Sequence, residues 1–259
     1  MEREEKLMKS NKWKFLLTGA ATLTLLTACS QASSQSATTS NTPQTTATTN
    51  KTTNTNYFTD KDKDTSYDES TASTVKLSGS SASVSGDGVA VSGSTVTISK
   101  AGTYVISGES NGVQIKVEAG DSDDVHIVLK GVTMTNTNAP ISATKAGHVY
   151  LTLADGTTNT LSDSSSNNDE DADAVIFSKG DLTINGSGTL NIDAKKNNGI
   201  KANDTLHITG GTYKITAVGD AFNVNDELNI TGTTMTIDAD EDAVKVDNDE
   251  ATSVGTMYL

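Results

Sequence analysis

Three segments in the C-terminal half repeat, and the repeat decides what this chain can fold into. Leu182-Thr-Ile184, Leu206-His-Ile208 and Leu228-Asn-Ile230 each open a unit, and the starts fall 24 and then 22 residues apart. Leu190-Asn-Ile192-Asp-Ala194, Tyr213-Lys-Ile215-Thr-Ala217 and Met235-Thr-Ile237-Asp-Ala239 follow as second runs. Ile200-Lys-Ala202, Phe222-Asn-Val224 and Val244-Lys-Val246 follow as third runs. Each run alternates apolar with polar residues, the mark of a short strand, and Gly, Asn and Asp fill the turns between them. Tandem three-strand units of about 22 residues predict an all-β solenoid, a parallel β-helix. Its apolar residues point into the stack and its polar residues point out.

Looser copies precede these units. Val125-His-Ile127 and Val149-Tyr-Leu151 match the first strand, and Ile141-Ser-Ala143 and Val175-Ile-Phe177 match the third. An insertion, Ser162 to Asp173, lengthens one turn. The alternating strands of Val75 to Ala119 are expected to cover the N-terminal end of the stack, which would otherwise present an open edge. At the other end Gly255-Thr-Met257-Tyr-Leu259 resembles Gly180-Asp-Leu182-Thr-Ile184, the opening strand of another coil. A solenoid needs a cap, so further coils, or another chain, are expected beyond Leu259. The folded domain is thus read as 75–259, incomplete at its C-terminus.

The N-terminus reads as an address and an anchor. Lys6, Lys9, Lys12 and Lys14 precede a mostly apolar stretch from Phe15 to Leu26, which ends in Leu26-Thr27-Ala28-Cys29. That order is an export signal over 1–28, too short for an ordinary spanning helix. Cys29 is the only cysteine in the chain; placed after a small residue, it looks like a lipobox cysteine, which would be diacylated. Two acyl chains hold a protein stably at a membrane, here the outer face of a bacterial cell membrane. Residues 29–56 are Ser, Thr, Gln, Ala and Asn, too poor in apolar residues to fold, and read as a flexible tether. The polar lead-in 57–74 is expected to be frayed.

Charge narrows the partners. The chain carries 33 acidic and 19 basic residues, a net charge of −14. Loss of residues 1–28 would remove three glutamates and five basic residues, leaving 30 and 14 and a balance of −16. Such a surface repels phosphate backbones, so nucleic acid is excluded as a partner. One cysteine excludes a disulfide framework or thiolate metal cluster.

Much of this acid falls in register. Asp173, Asn198, Asp220 and Asp242 occupy the position before the third strand, and Ser178, Asn203, Asn225 and Asp247 lie five residues on. Asp193 and Asp238 share a position on the second strand, with Thr216 between them. Stacked strands are roughly 4.8 Å apart, where two unit charges repel by about 1 kcal/mol in water and about 3–4 kcal/mol at an effective dielectric near 20. Lys201 and Lys245 flank these rows, with Asn223 between them. A hard divalent cation neutralises such a row better, and Ca2+ takes carboxylate, amide and backbone oxygens together. The turns holding Asp220, Asp242, Asn225 and Asp247 are therefore candidate calcium sites; the alternative is a solvated acidic edge that keeps the solenoid soluble.

Other clusters point nowhere specific. Asp169-Glu-Asp171-Ala-Asp173 begins like an EF-hand, but Ala174 and Gly180 stand where the turn glycine and bidentate glutamate belong. His126, His148 and His207 form no triad or metal motif and read as surface strand residues.

Gly86-Asp-Gly-Val-Ala-Val91, Gly102-Thr-Tyr-Val-Ile-Ser-Gly108, Leu153-Ala-Asp-Gly-Thr-Thr-Asn-Thr-Leu161 and the coils ending Asp-Ala-Phe/Val-x-Val come in a fixed order. Together they resemble the bacterial cell-surface carbohydrate-binding domain family, over about 75–259. The resemblance implies a right-handed parallel β-helix related to pectate lyases, binding plant-type polysaccharides, acidic ones included, with calcium between coils. By position it implies Asp173, Asn198, Asn203, Asp220, Asn225, Asp242 and Asp247 as ligands. The expected function is a surface lipoprotein that binds an acidic, pectin-like glycan through Ca2+, without catalysis. Two alternatives stand beside it. A calcium-dependent lyase would need a basic side chain to remove the proton next to a uronate carboxylate; no arginine follows Arg3, leaving Lys201 or Lys245. A structural or adhesive lipoprotein would have no glycan ligand.

Overall fold

The computed structural model describes residues 57–248 and 255–259, together with the backbone of Phe15–Leu17. Strands from successive repeats stack parallel and in register to form three long ladders. The first runs through Gly102–Asn111, Asp124–Thr135, His148–Leu153, Leu182–Gly186, Thr205–Thr209, Glu227–Thr231 and Thr256–Tyr258. The second joins the far half of Asp124–Thr135 to Thr158–Ser162, Thr189–Ala194, Thr212–Ala217 and Thr234–Ala239. The third stacks Thr95–Ile98, Gln114–Glu118, Ile141–Lys145, Ala174–Ser178, Asn198–Ala202, Phe222–Val224 and Val244–Val246. The protein is an all-β, solenoid-like stack of parallel sheet.

Apolar rows drive the stacking. Val125, Val149, Leu182, Leu206 and Leu228 line up on the first ladder, and Leu161, Ile192, Ile215 and Ile237 on the second. Ile115, Ile141, Ile176, Ile200, Phe222 and Val244 do so on the third. Most of these side chains are buried in one continuous core, each contributing about 1.5–3 kcal/mol relative to exposure. Where Gly102–Asn111 passes from the first ladder to the second, Gly108 has φ of 93° and a Cβ there would stand 2.5 Å from the Leu77 carbonyl oxygen. No side chain fits that crossing.

Antiparallel pairs occur at the margins. Ser73–Gly79 pairs with Ser81–Ser85, and Val89–Ser92 with Thr95–Ile98, at the N-terminal end of the ladders. Phe15–Leu17 runs antiparallel to Met235–Ile237. The rest of the expected export signal, Cys29 and the tether lie outside the described residues.

Two sequence expectations change. In Val175-Ile176-Phe177 it is Ile176, not its neighbours, that stacks with Ile141 and Ile200. Phe177 instead packs with Ala139 and Ala172 against the insertion. Asp163 and Asn167 of that insertion are buried, and Asp163 Oδ1 accepts a hydrogen bond from the Lys195 amide at 2.6 Å. Nor is the lead-in frayed: residues 58–72 lie across the outward face of the first ladder. A short helix, Asp60–Lys63, starts with a capping box between Thr59 and Asp62. Asp62 is only 1% exposed; its carboxylate accepts from Thr183 Oγ1 at 2.6 Å, and its carbonyl accepts from Asn185 Nδ2 at 3.1 Å and Thr209 Oγ1 at 2.8 Å. Lys61 pairs with Asp124 and sits over the Tyr150 ring, and Lys130 pairs with Glu69.

Candidate functional site

The turn between the second and third ladders holds the first candidate row. Strand register places Asn198, Asp220 and Asp242 in one line, preceded by Ala174 rather than Asp173. The shift follows from Ile176, which takes the core position that alternation assigned to Val175. Asn198 Oδ1 accepts a hydrogen bond from the Asp220 amide at 3.0 Å, and Asp220 Oδ1 accepts one from the Asp242 amide at 3.0 Å. Asp220 Oδ2 also accepts from Asn223 Nδ2 at 2.7 Å. Each side chain therefore caps the backbone of the next coil, which explains why a carboxylate only 3% exposed is tolerated at Asp220. Asp173 stands beside the row, accepting from Asn197 Nδ2 at 2.6 Å and from Lys201 Nζ at 2.7 Å.

The second row follows the third ladder and consists of Lys179, Asn203, Asn225 and Asp247, because the preceding residues Ser178, Ala202, Val224 and Val246 pair in turn. Ser178 is thus one place off the row, as Asp173 is. Here an oxygen is left over: Asn203 Oδ1 is shielded from solvent and meets no donor. Asp247 is exposed. One position further on, Asp204 and Asp226 are neighbours by the same register, and Asp181 Oδ1 accepts from the Thr205 amide at 3.1 Å. Burial, then the charges of Asp181 and Asp226, push the Asp204 carboxyl up. Sequence alignment of the repeats held this extension, but only in the positions after the row.

The two rows differ in what they offer a cation. In the first, the Asn198 and Asp220 oxygens are engaged by backbone and side-chain amides, and Asp242 is exposed at the end of the row. In the second, Asn203 Oδ1 has unused acceptor capacity beside Asn225 and Asp247, a donor set suited to Ca2+. Among the described residues no three carboxylate or imidazole groups converge on one point; the seven candidates form lines, not a cage.

The third acidic row, Asp193, Thr216 and Asp238, is in register as expected. With Lys195, Val218 and Asp240 it lines an open pocket of about 240 Å3. Lys195 Nζ lies 3.5 Å from Asp193. Lys201, Asn223 and Lys245 also align. Lys201 is half-buried and committed to Asp173, while Lys245 is exposed.

The histidines are on the outward first-ladder face, as expected, but beneath the lead-in segment. His126, Tyr150, Thr183 and His207 form one row. His207 Nδ1 lies 3.2 Å from Asp62, His148 stacks on Tyr150 with ring centroids 4.1 Å apart, and Phe58 meets His207 edge-on. The local signal for this arrangement was Thr59-Asp-Lys-Asp62, a capping box in a stretch otherwise read as linker.

The sequence model of the carbohydrate-binding domain-containing proteins matches residues 92–259. A carbohydrate-binding domain-containing protein of Acetivibrio thermocellus is 39% identical over 126 residues, 46% of this chain and 44% of that relative. The match thus spans less than half of the relative's length. Among solved structures, a polysaccharide lyase-like protein from C. thermocellum, a gadolinium derivative, superposes with a TM-score of 0.69 at 35% identity, over 72% of this chain and 78% of that one. The chain belongs to the family of carbohydrate-binding domain-containing proteins.

Proposed function

We propose that this protein is a lipid-anchored surface protein whose right-handed parallel β-helix binds an acidic, pectin-like polysaccharide through calcium held between coils. Membership of a carbohydrate-binding family carries the polysaccharide reading. The acidic preference follows from charge. A chain cut before Cys29 has a balance of −16, and such a surface repels a polyuronate unless a cation links carboxylate to carboxylate. Asn203, Asn225 and Asp247 would hold such a cation, with Asn203 Oδ1 the strongest support because it is a buried acceptor without a donor. Asn198 and Asp220 serve first as backbone caps in this reading, Asp173 is committed to Asn197 and Lys201, and Asp242 is exposed beside them. Bound calcium would supply positive charge for the glycan, and the coil turns would orient it.

Retention on immobilised polygalacturonate in millimolar calcium, lost on adding chelator, is the expected result. Full retention in excess chelator would overturn the bridging mechanism. Anchoring through Cys29, with 29–56 as tether, predicts palmitate incorporation and membrane retention, both lost in Cys29→Ala.

A lyase activity is the second reading, favoured by the polysaccharide lyase-like relative. Lys201 is a poor base while it donates to Asp173, which leaves Lys245 as the better candidate. Unsaturated uronide absorbing in the ultraviolet, lost in Lys245→Ala, would establish it.

A further inference from the structure

The outward face of the first ladder gathers every histidine of the chain under residues 58–72. We propose that this segment is an acid-released clamp: protonation of His126 and His148 frees it from the first ladder while the ladders stay folded.

The hydrogen-bond directions set the protonation states of the closed clamp. Thr183 Oγ1 donates to Asp62 Oδ1, so the hydroxyl accepts from His148 Nε2 at 2.8 Å, and that nitrogen carries the proton. Thr152 Oγ1 donates to Asn185 Oδ1 at 2.6 Å, so it accepts from His126 Nε2 at 2.8 Å. Asn185 Nδ2 then donates to the carbonyls of Asp62 and Asp64 at 3.1 and 3.0 Å. Both chains end on the clamp backbone or its buried carboxylate. Further protonation of either ring must occur at Nδ1 and puts a charge into this half-buried layer.

The surroundings resist that charge. Burial pushes His126 down from 6.5; Asp64 offsets part of this and Lys61 opposes the charge. Burial also pushes His148 down, partly offset by Asp181, Asp62 and Asp124, with His207 opposing. Tyr150, neutral beneath Lys61, Tyr67 edge-on to His126, and the Lys130–Glu69 pair complete the titratable groups around them. An open clamp takes away that burial and brings both imidazoles back towards 6.5, with Asp181 and Asp124 still beside His148. The open state therefore binds protons more readily. Clamp stability is full above about 6.5 and declines as the pH falls below it.

Asp62 acts in a separate window. Burial alone would raise its carboxyl, but His207, Thr183 and Thr59 together hold it well below its usual 3.8. A depressed carboxyl stabilises the closed form above about 3.8, and that contribution is lost only as pH falls further. Asp62 therefore stays ionised at pH 5, and its contacts with Thr183 and with His207 Nδ1 at 3.2 Å hold while the other two histidines loosen theirs.

Amide hydrogen exchange of the full chain at pH 8 and pH 5, corrected for intrinsic rates, tests the clamp. Peptides covering 58–72 are expected to open severalfold more at pH 5, with strands such as Leu182–Gly186 and Thr205–Thr209 unchanged. The variant His126→Gln/His148→Gln keeps a donor towards each threonine but cannot titrate, and should hold the clamp closed at both pH values. Equal protection at both pH values in the wild type would overturn the proposal. So would an undiminished response in the double variant, or loss of ladder protection together with the clamp.

Discussion

Asp220 and Asp62 are both buried carboxylates, and they are buried in opposite ways. Asp220 accepts from the amide of Asp242, one coil on, and is itself capped by Asn198, one coil back. Its partners stand where the repeat puts them. Asp62 is held by Thr183 and His207, more than a hundred residues away, and neither has a repeated counterpart on the clamp. The solenoid thus uses one acidic side chain to continue a periodic stack and another to fasten a non-periodic strap across it. An acidic row in register is not by itself a metal site, because backbone amides can satisfy it.

The comparison breaks most sharply at Asp62. Asp62→Ala leaves His207 and Thr183 without their acceptor and is expected to cost about 3–5 kcal/mol in denaturant unfolding, with amide protection lost throughout 58–72. A cost no larger than that of Asp220→Ala would mean that the strap is dispensable. Asp220→Ala is next, expected to cost about 1–3 kcal/mol because the Asp242 amide and Asn223 lose an acceptor. Asp220→Asn keeps the Oδ1 acceptor and should cost less than about 1 kcal/mol; a loss as large as that of alanine would show that the charge itself is needed there.

Calcium sharpens the contrast between rows. Millimolar Ca2+ is expected to raise the melting temperature, since a ligand of the native state alone stabilises it, and Asp247→Ala should shrink that rise more than Asp220→Asn does. The reverse order would move the ion to the first row. Smallest is Lys195→Ala: its ion pair with Asp193 is exposed, so a change below about 1 kcal/mol is expected in the same unfolding assay.

Legibility in the sequence follows the same division. The alternation of Leu182-Thr-Ile184, Leu206-His-Ile208 and Leu228-Asn-Ile230 carries their register without error, because one face of each strand is apolar and the other polar. Val175-Ile176-Phe177 misleads because both faces are covered there, one by the core and one by the insertion, so polarity no longer marks the side. Asp173 and Ser178 inherit that one-residue error. The clamp was illegible for another reason. Its contacts are long-range and unrepeated, and a segment as polar as Phe58 to Ala72, in which only Asp62 is buried, docks by matching hydrogen bonds, which leave no apolar period to read.

The position of the clamp has a mechanical consequence. A pull applied to the chain just ahead of Tyr57 reaches Asp62 before it reaches Ser73, where the hairpin at the end of the ladders begins. Lys61 and Asp62 together hold Asp124, Tyr150, Thr183 and Thr209, on four neighbouring strands of the first ladder. Tension is therefore shared among several coils at once and resisted along the face, instead of peeling the terminal hairpin strand by strand. The solenoid is gripped at its side.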